Sequence, residues 1–127
     1  MALILDTNAI SAVLEGDSAI ERALSLSDRH HLPVIALGEY RYGLLRSKRR
    51  AELEPLLDRL EAESIVTSLD PATARYYADV RDELRNAGTP IPENDIWIAA
   101  LGRQHELAVV SRDGHFDSVR GLKRVSW

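Results

Sequence analysis

The chain has 127 residues, 45% hydrophobic and 28% charged, with a formal net charge of −4, which suits one soluble domain large enough to bury a real core. It contains no cysteine, so disulfides and thiolate sites are excluded, and no apolar stretch approaches the ~20 residues needed to cross a membrane. The negative balance argues against holding nucleic acid by charge alone, but says little about the local field if acids surround a cation.

The opening run Ala2-Leu3-Ile4-Leu5 is too short for a signal peptide and predicts a buried strand that stops at Asp6. A cytoplasmic setting is expected, since a chain without cysteine suits a reducing compartment. Residues 8–15 predict a helix with Asn8 as N-cap and Gly16 just past its end. Ser18-Ala19-Ile20-Glu21 has capping-box spacing and predicts a second helix, with Ile20, Ala23, Leu24 and Leu26 facing the core. Residues 32–36 predict a second strand, and a helix follows from Leu37 to Arg46, carrying Glu39 and, one turn later, Gly43. Arg46, Lys48, Arg49 and Arg50 form a basic cluster that is either a solvated junction or a phosphate contact.

Residues 50–63 predict a further helix with Leu53, Leu56, Leu57 and Leu60 at helical spacing and Pro55 marking a first turn or a kink. With Leu44 and Leu45 these leucines look too many for one side of a small core, so some are expected to line a groove for an amphipathic helix. Residues 64–67 predict a strand. Asp70-Pro71 starts a helix, the carboxylate capping and the proline at the first helical position, and that helix lasts until Gly88. After the loop Gly88–Pro92 come a helix from Glu93 to Glu106, a strand at 107–111, a turn at Arg112-Asp113-Gly114 and a short edge strand at 123–127. Strands alternating with helices predict an α/β fold: one domain, 1–127, three layers α/β/α around a central parallel sheet.

Four acids stand out from the rest. Asp6 and Asp113 fall at predicted strand ends, Glu39 lies just beyond one, and Asp95 sits in the first turn of an apolar helix. Ligands in such folds bind outside the carboxyl ends of the strands, so separate elements deliver these acids to one edge. Each has a structural alternative: Asp6 and Asp95 as helix-start acids, Glu39 as an exposed acid, Asp113-Gly114 as a turn. Together they predict an oxygen-rich site for Mg²⁺ or Mn²⁺ and metal-dependent phosphodiester chemistry. Ser111 precedes Asp113 at alternate spacing, which lets its hydroxyl point the same way and help orient water. The histidines make no metal pattern; His115, between Asp113 and Asp117, is placed either to approach a substrate or to be a surface-loop residue, and the second reading is preferred.

Taken in order, Leu5-Asp6-Thr7-Asn8, Glu39 with Gly43, Asn94-Asp95 with Ile98-Ala99-Ala100, Val109 to Asp113, Phe116, Gly121-Leu122 and Trp127 resemble the PIN-domain ribonucleases of the VapC toxin type. The resemblance covers nearly the whole chain. It implies a metal-dependent endoribonuclease, the toxin of a toxin–antitoxin pair, with Asp6, Glu39, Asp95 and Asp113 at its acidic positions and RNA as substrate. Asp6, Asp95 and Asp113 would be the metal-binding set. Thr7, Asn8 and Ser111 would orient ligands or substrate, and Asp117 is the candidate for a fifth acid used by some members. Ser111 stands where many relatives have Thr, keeping the hydroxyl. A VapB-like antitoxin and a homodimer are the implied partners. The competing readings are a PIN-like module that binds RNA or protein without cutting, and an aspartyl-phosphate phosphatase. The latter would want a second Asp at position 8, where Asn8 stands.

Overall fold

Leu3, Ile4 and Leu5 have no polar face to offer to solvent, and they become the central strand of the sheet, all three buried. The computed structural model describes residues 2–127. Its strands are β1 (Leu3–Leu5), β2 (His30–Pro33), β3 (Ile65–Thr67), β4 (Ala108–Val110) and β5 (Arg124–Val125). They form one parallel sheet in the order β3-β2-β1-β4-β5. Parallel neighbours require crossovers, supplied here by α1 (Thr7–Leu14), α2 (Ser18–Leu24), α3 (Val34–Leu44), α4 (Arg50–Glu63), α5 (Pro71–Ala87) and α6 (Glu93–Gln104). Right-handed connections put α1 to α4 on one face and α5 with α6 on the other, giving the expected three layers. Consistent with this, α1 packs on α3 and α4, and α5 packs along α6.

The core joins Leu3, Ile4 and Leu5 to Ile10, Ile20, Leu32, Leu57, Ile98, Leu101, Val109 and Phe116. Helix α6 approaches the C-terminal segment so closely that a Cβ at Gly102 would come within 2.7 Å of Leu122 Cδ1. No helix among the described residues is long and apolar enough to cross a membrane.

Several local expectations are corrected. The second strand ends at Pro33, and Val34-Ile35-Ala36 form the first turn of α3. A short apolar run fits either period, and here Ala36 and Leu37 are buried together with Leu44, two helical turns on. Helix α1 is capped by Asp6 and α2 by Asp17, each accepting a backbone N–H, in place of Asn8 and Ser18. Because α2 stops at Leu24, Leu26 falls in the following turn and is exposed. Pro55 lies inside α4 beyond its first turn; it and Ala51, whose carbonyl loses its donor, both face solvent. Of the six leucines proposed for a groove, Leu44, Leu53 and Leu57 are core residues and Leu60 packs against them, so only Leu45, 59% exposed, and Leu56 remain outward.

Candidate active site

The strand order places β1 beside both β2 and β4, with the connection from β1 to β2 on one face of the sheet and the helices leading into β4 on the other. That divergence opens a crevice at their carboxyl ends. Asp6 is the first residue after β1 and Ser111 the first after β4. Thr7 N donates to Asp6 Oδ1 at 2.8 Å, and Ser111 Oγ donates to Asp6 Oδ2 at 2.7 Å. The buried Ser111 hydroxyl also accepts from Asn8 Nδ2 at 3.2 Å and from Asp113 N at 2.9 Å. A hydroxyl has one proton to give and two lone pairs, so Ser111 is saturated, and it ties the ends of β1 and β4 together.

Two further elements bring acids to this crevice. Asp95 enters from the first turn of α6. Asp113 caps a 3₁₀ turn over Gly114–Ser118, accepting from His115 N at 2.9 Å. The turn folds the His115 ring back: Nδ1 lies 2.9 Å from Asp113 Oδ1 and 3.3 Å from Asp95 Oδ2. Among the described residues, Asp95, Asp113 and His115 carry possible ligand atoms that all lie within 4.8 Å of one another. Asp6 lines the same cleft outside that trio. Glu39 reaches it from α3 and accepts from Thr7 Oγ1 at 3.2 Å.

The cleft has a volume of about 690 Å³. Asp6, Thr7, Asn8, Glu39, Asp95 and Asp113 line it together with Tyr40, Gly43, Leu44 and Leu53. Arg49 also borders it, but is paired with Glu15 at 2.7 Å and Glu52 at 2.9 Å. Elsewhere in the basic cluster, Arg50 pairs with Glu54 and Arg46 lies over the Tyr42 ring.

Charge is crowded here. Burial, and then the negative charge of Asp6, push the Asp95 carboxyl up to about 6. Burial also raises Asp6, overcoming the opposing hydrogen bonds from Ser111 and Thr7, and Asp113 adds to the rise. Carboxylates that resist ionisation are stabilised by a cation, and hard oxygen donors at this spacing suit a divalent one.

The structure thus brings together Asp6, Glu39, Asp95 and Asp113, with Thr7 and Asn8 on the wall and Ser111 beneath. It does not bring Asp117. That side chain pairs with Arg124 through 2.8 and 2.9 Å bonds, which hold its carboxyl below the usual range. His115 was read as a surface-loop residue in preference to one approaching a substrate, and its contacts with Asp95 and Asp113 were not foreseen. The available signal was its place two residues after a capping Asp, where a tight turn returns the side chain toward its own cap. His30 and His31 were read as lying before the second strand but open β2, where His30 bonds the Leu24 carbonyl and His31 the Thr67 hydroxyl.

Comparison with known proteins gives the same picture. Residues 3–122 match the family model of the PIN domain. The chain is 32% identical to the ribonuclease VapC5 of Mycobacterium tuberculosis, over 96% of this chain and 90% of that protein. It is 31% identical to the toxin FitB of Neisseria gonorrhoeae, over 87% of each. Among solved structures, a DNA-bound VapBC from Salmonella typhimurium superposes with a TM-score of 0.89 at 25% identity, covering 100% of this chain and 98% of the other.

Proposed function

The chain belongs to the PIN-domain family, and on that premise we propose that it is an endoribonuclease dependent on Mg²⁺ or Mn²⁺ and the toxin of a toxin–antitoxin pair. The observation that carries this reading is the convergence of Asp6, Asp95 and Asp113 on one cleft, where burial and mutual repulsion push Asp95 to about 6. The full-length likeness to ribonuclease VapC5 supports RNA as the substrate.

The donor set fits a hard divalent ion: Asp6 and Asp95 would be its principal ligands, with Asp113 beside them and Glu39 completing the site directly or through water. When bound, such an ion supplies charge neutralisation at the phosphate and lowers the pKa of water at the site. The remaining work belongs to the protein. Thr7 N–H and the Ser111 hydroxyl fix both oxygens of Asp6, so its remaining lone pairs face the cleft in one orientation. Asn8 holds Ser111 from the other side. Glu39, joined to Thr7, faces Asp95 and Asp113 across the cleft and can accept a proton from an attacking water. Tyr40, on the cleft wall over the buried Leu44 and Leu53, offers an aromatic surface to a nucleoside.

Cleavage of a mixed RNA by the purified chain, with Mg²⁺, Mn²⁺ or excess EDTA, tests the reading. Cutting is expected only with metal. Full activity in EDTA would sink it, and RNA left whole in the presence of metal would favour a binding module. The likeness to VapBC complexes supports a VapB-like antitoxin as partner, and we infer a homodimer as the toxin's own state. Leu45, the most exposed of the α3–α4 leucines, is the residue to probe. Leu45→Glu should weaken antitoxin capture while leaving the fold intact, whereas Leu57→Glu would place a charge in the core.

A further inference from the structure

We propose that His115 is itself a ligand of this site and tilts it toward cations that accept nitrogen, Mn²⁺ over Mg²⁺. The inference rests on the metal-dependent reading above and deepens it. Nδ1 stands 2.9 Å from Asp113 Oδ1 and 3.3 Å from Asp95 Oδ2. Neighbouring ligands around an octahedral ion with bonds of about 2.1 Å are separated by roughly 3 Å, the bond length times √2. The imidazole nitrogen therefore stands from each of the two carboxylate oxygens at about the spacing of neighbouring ligands around one cation, and ligand atoms of all three residues lie within 4.8 Å of one another.

The same spacing serves both states. Without a cation, the tautomer with its proton on Nδ1 donates to these carboxylates. In the tautomer with its proton on Nε2, the Nδ1 lone pair points at the same place and shares a cation with the two acids. The ring is held there by its main chain: His115 N donates to Asp113 Oδ1, and the next residue, Phe116, is fully buried. The ring itself is 49% exposed, against 14% for the Asp95 side chain, so it closes the site from the solvent side.

Nitrogen at this position has a chemical consequence. Mg²⁺ demands oxygen and keeps its waters, while the first-row transition ions accept imidazole. A site of carboxylates alone discriminates weakly between Mg²⁺ and Mn²⁺; adding His115 strengthens only the second. The opposite possibility is that His115 competes, as a resident donor that any cation must displace, and it predicts the reverse sign.

The test measures metal binding by the full chain without RNA, by calorimetry and by Mn²⁺ paramagnetic resonance, for the parent, His115→Ala, His115→Gln and Asp95→Asn. His115 is outside the core, and thermal melting confirms folding. In both His115 variants the Mn²⁺ dissociation constant should rise about tenfold or more while that for Mg²⁺ stays within about twofold. Bound Mn²⁺ in the parent should show hyperfine coupling to an imidazole nitrogen that both variants lose. Absence of that coupling, equal weakening of the two ions, or tighter binding in the variants overturns the role of His115. If Asp95→Asn abolishes binding and the His115 variants change nothing, only this inference falls. If the parent binds neither ion, or Asp95→Asn binds as the parent does, the metal site falls with it.

Discussion

Asp6 and Asp70 hold the same local station. Each follows a parallel strand, each has extended backbone, and each accepts a backbone N–H to cap the next helix, α1 and α5 respectively. Their electrostatics are opposite. Asp70 is exposed and takes hydrogen bonds from Thr73 N at 2.9 Å and Gln104 Nε2 at 3.1 Å, and these hold its carboxyl below the usual range. Asp6 is buried, receives equally good bonds, and is nevertheless raised. Asp70 lies beyond β3 at the sheet's edge; Asp6 lies beyond β1 at its centre, with Asp113 for company. Capping chemistry alone therefore does not make a site. Position relative to the strand crossover, and the acids gathered there, do.

The largest effect that can break this comparison is on RNA cleavage. Asp6→Asn and Asp95→Asn should each lower the rate by at least about 100-fold, because each removes an anionic ligand with little change of shape; at Asp6 the change also replaces one of two accepting oxygens by a donor. Asp70→Asn should leave it within about twofold. If Asp70→Asn proved as damaging as Asp6→Asn on folded protein, the distinction between the two caps would be lost.

How the sequence could and could not foresee this follows from the same pair. Asp70 was legible in full, since Asp followed by Pro is a local signal and capping is a local interaction. The acids of the cleft were legible as a set, because strand ends in a parallel sheet share an edge whatever the strand order. The particulars depended on tertiary contacts. Asn8 was read as the cap and Asp6 as relieved of that duty, yet Asp6 caps while Asn8 crosses to Ser111, 103 residues away. Asp117 was the candidate for the fifth acid that the family resemblance implies, but Arg124 on β5 pairs with it. His115 was read as surface because its contact with Asp95 depends on where α6 begins relative to β4, which no local pattern encodes. The early start of α3 was hidden for another reason: an apolar run of three residues carries no period.

A smaller effect sharpens the comparison through the groups that hold each cap. Ser111→Ala deprives Asp6, Asn8 and the Asp113 N–H of a buried partner at once. Loss of about 1–3 kcal/mol is expected, with cleavage down roughly tenfold at temperatures where the protein stays folded. Thr73→Val is the matched change at the other cap, since the buried Thr73 hydroxyl contacts Asp70 and Gln104. It should cost stability of similar order and no activity. Chemical denaturation beside an RNA assay at low temperature separates the two, and an equal loss of activity in both would reduce Ser111 to a structural group.

The smallest effect is on stability, and it has a definite sign. The Asp95 carboxyl rises from 3.8 to about 6 on folding. A raised value means that the contribution is fully present below the unfolded pKa and is lost as pH climbs through the folded one. The metal-free protein should therefore weaken between about pH 4 and 6 on account of this group, by at most roughly 3 kcal/mol at neutral pH. Asp70, whose value is lowered, tilts the other way: its contribution is present above the unfolded pKa and is lost as pH falls through the folded one. Asp95→Asn should flatten the first slope and leave the metal-free protein at pH 7 at least as stable as the parent, since it deletes one of the repelling charges. Mn²⁺ should raise the parent's Tm by an amount that grows with its concentration above the dissociation constant, because it binds only the folded chain. It should raise that of Asp95→Asn much less. A purely helix-start role for Asp95 predicts otherwise: Asn substitutes well for Asp near a helix N-terminus, and metal would then stabilise both proteins alike. Four melting curves decide it, parent and Asp95→Asn with and without Mn²⁺. Asp70→Asn serves as the control that should shift with metal as the parent does. An identical Mn²⁺ shift in parent and Asp95→Asn would mean that Asp95 is no ligand, and that its raised pKa reflects burial without a cation to relieve it.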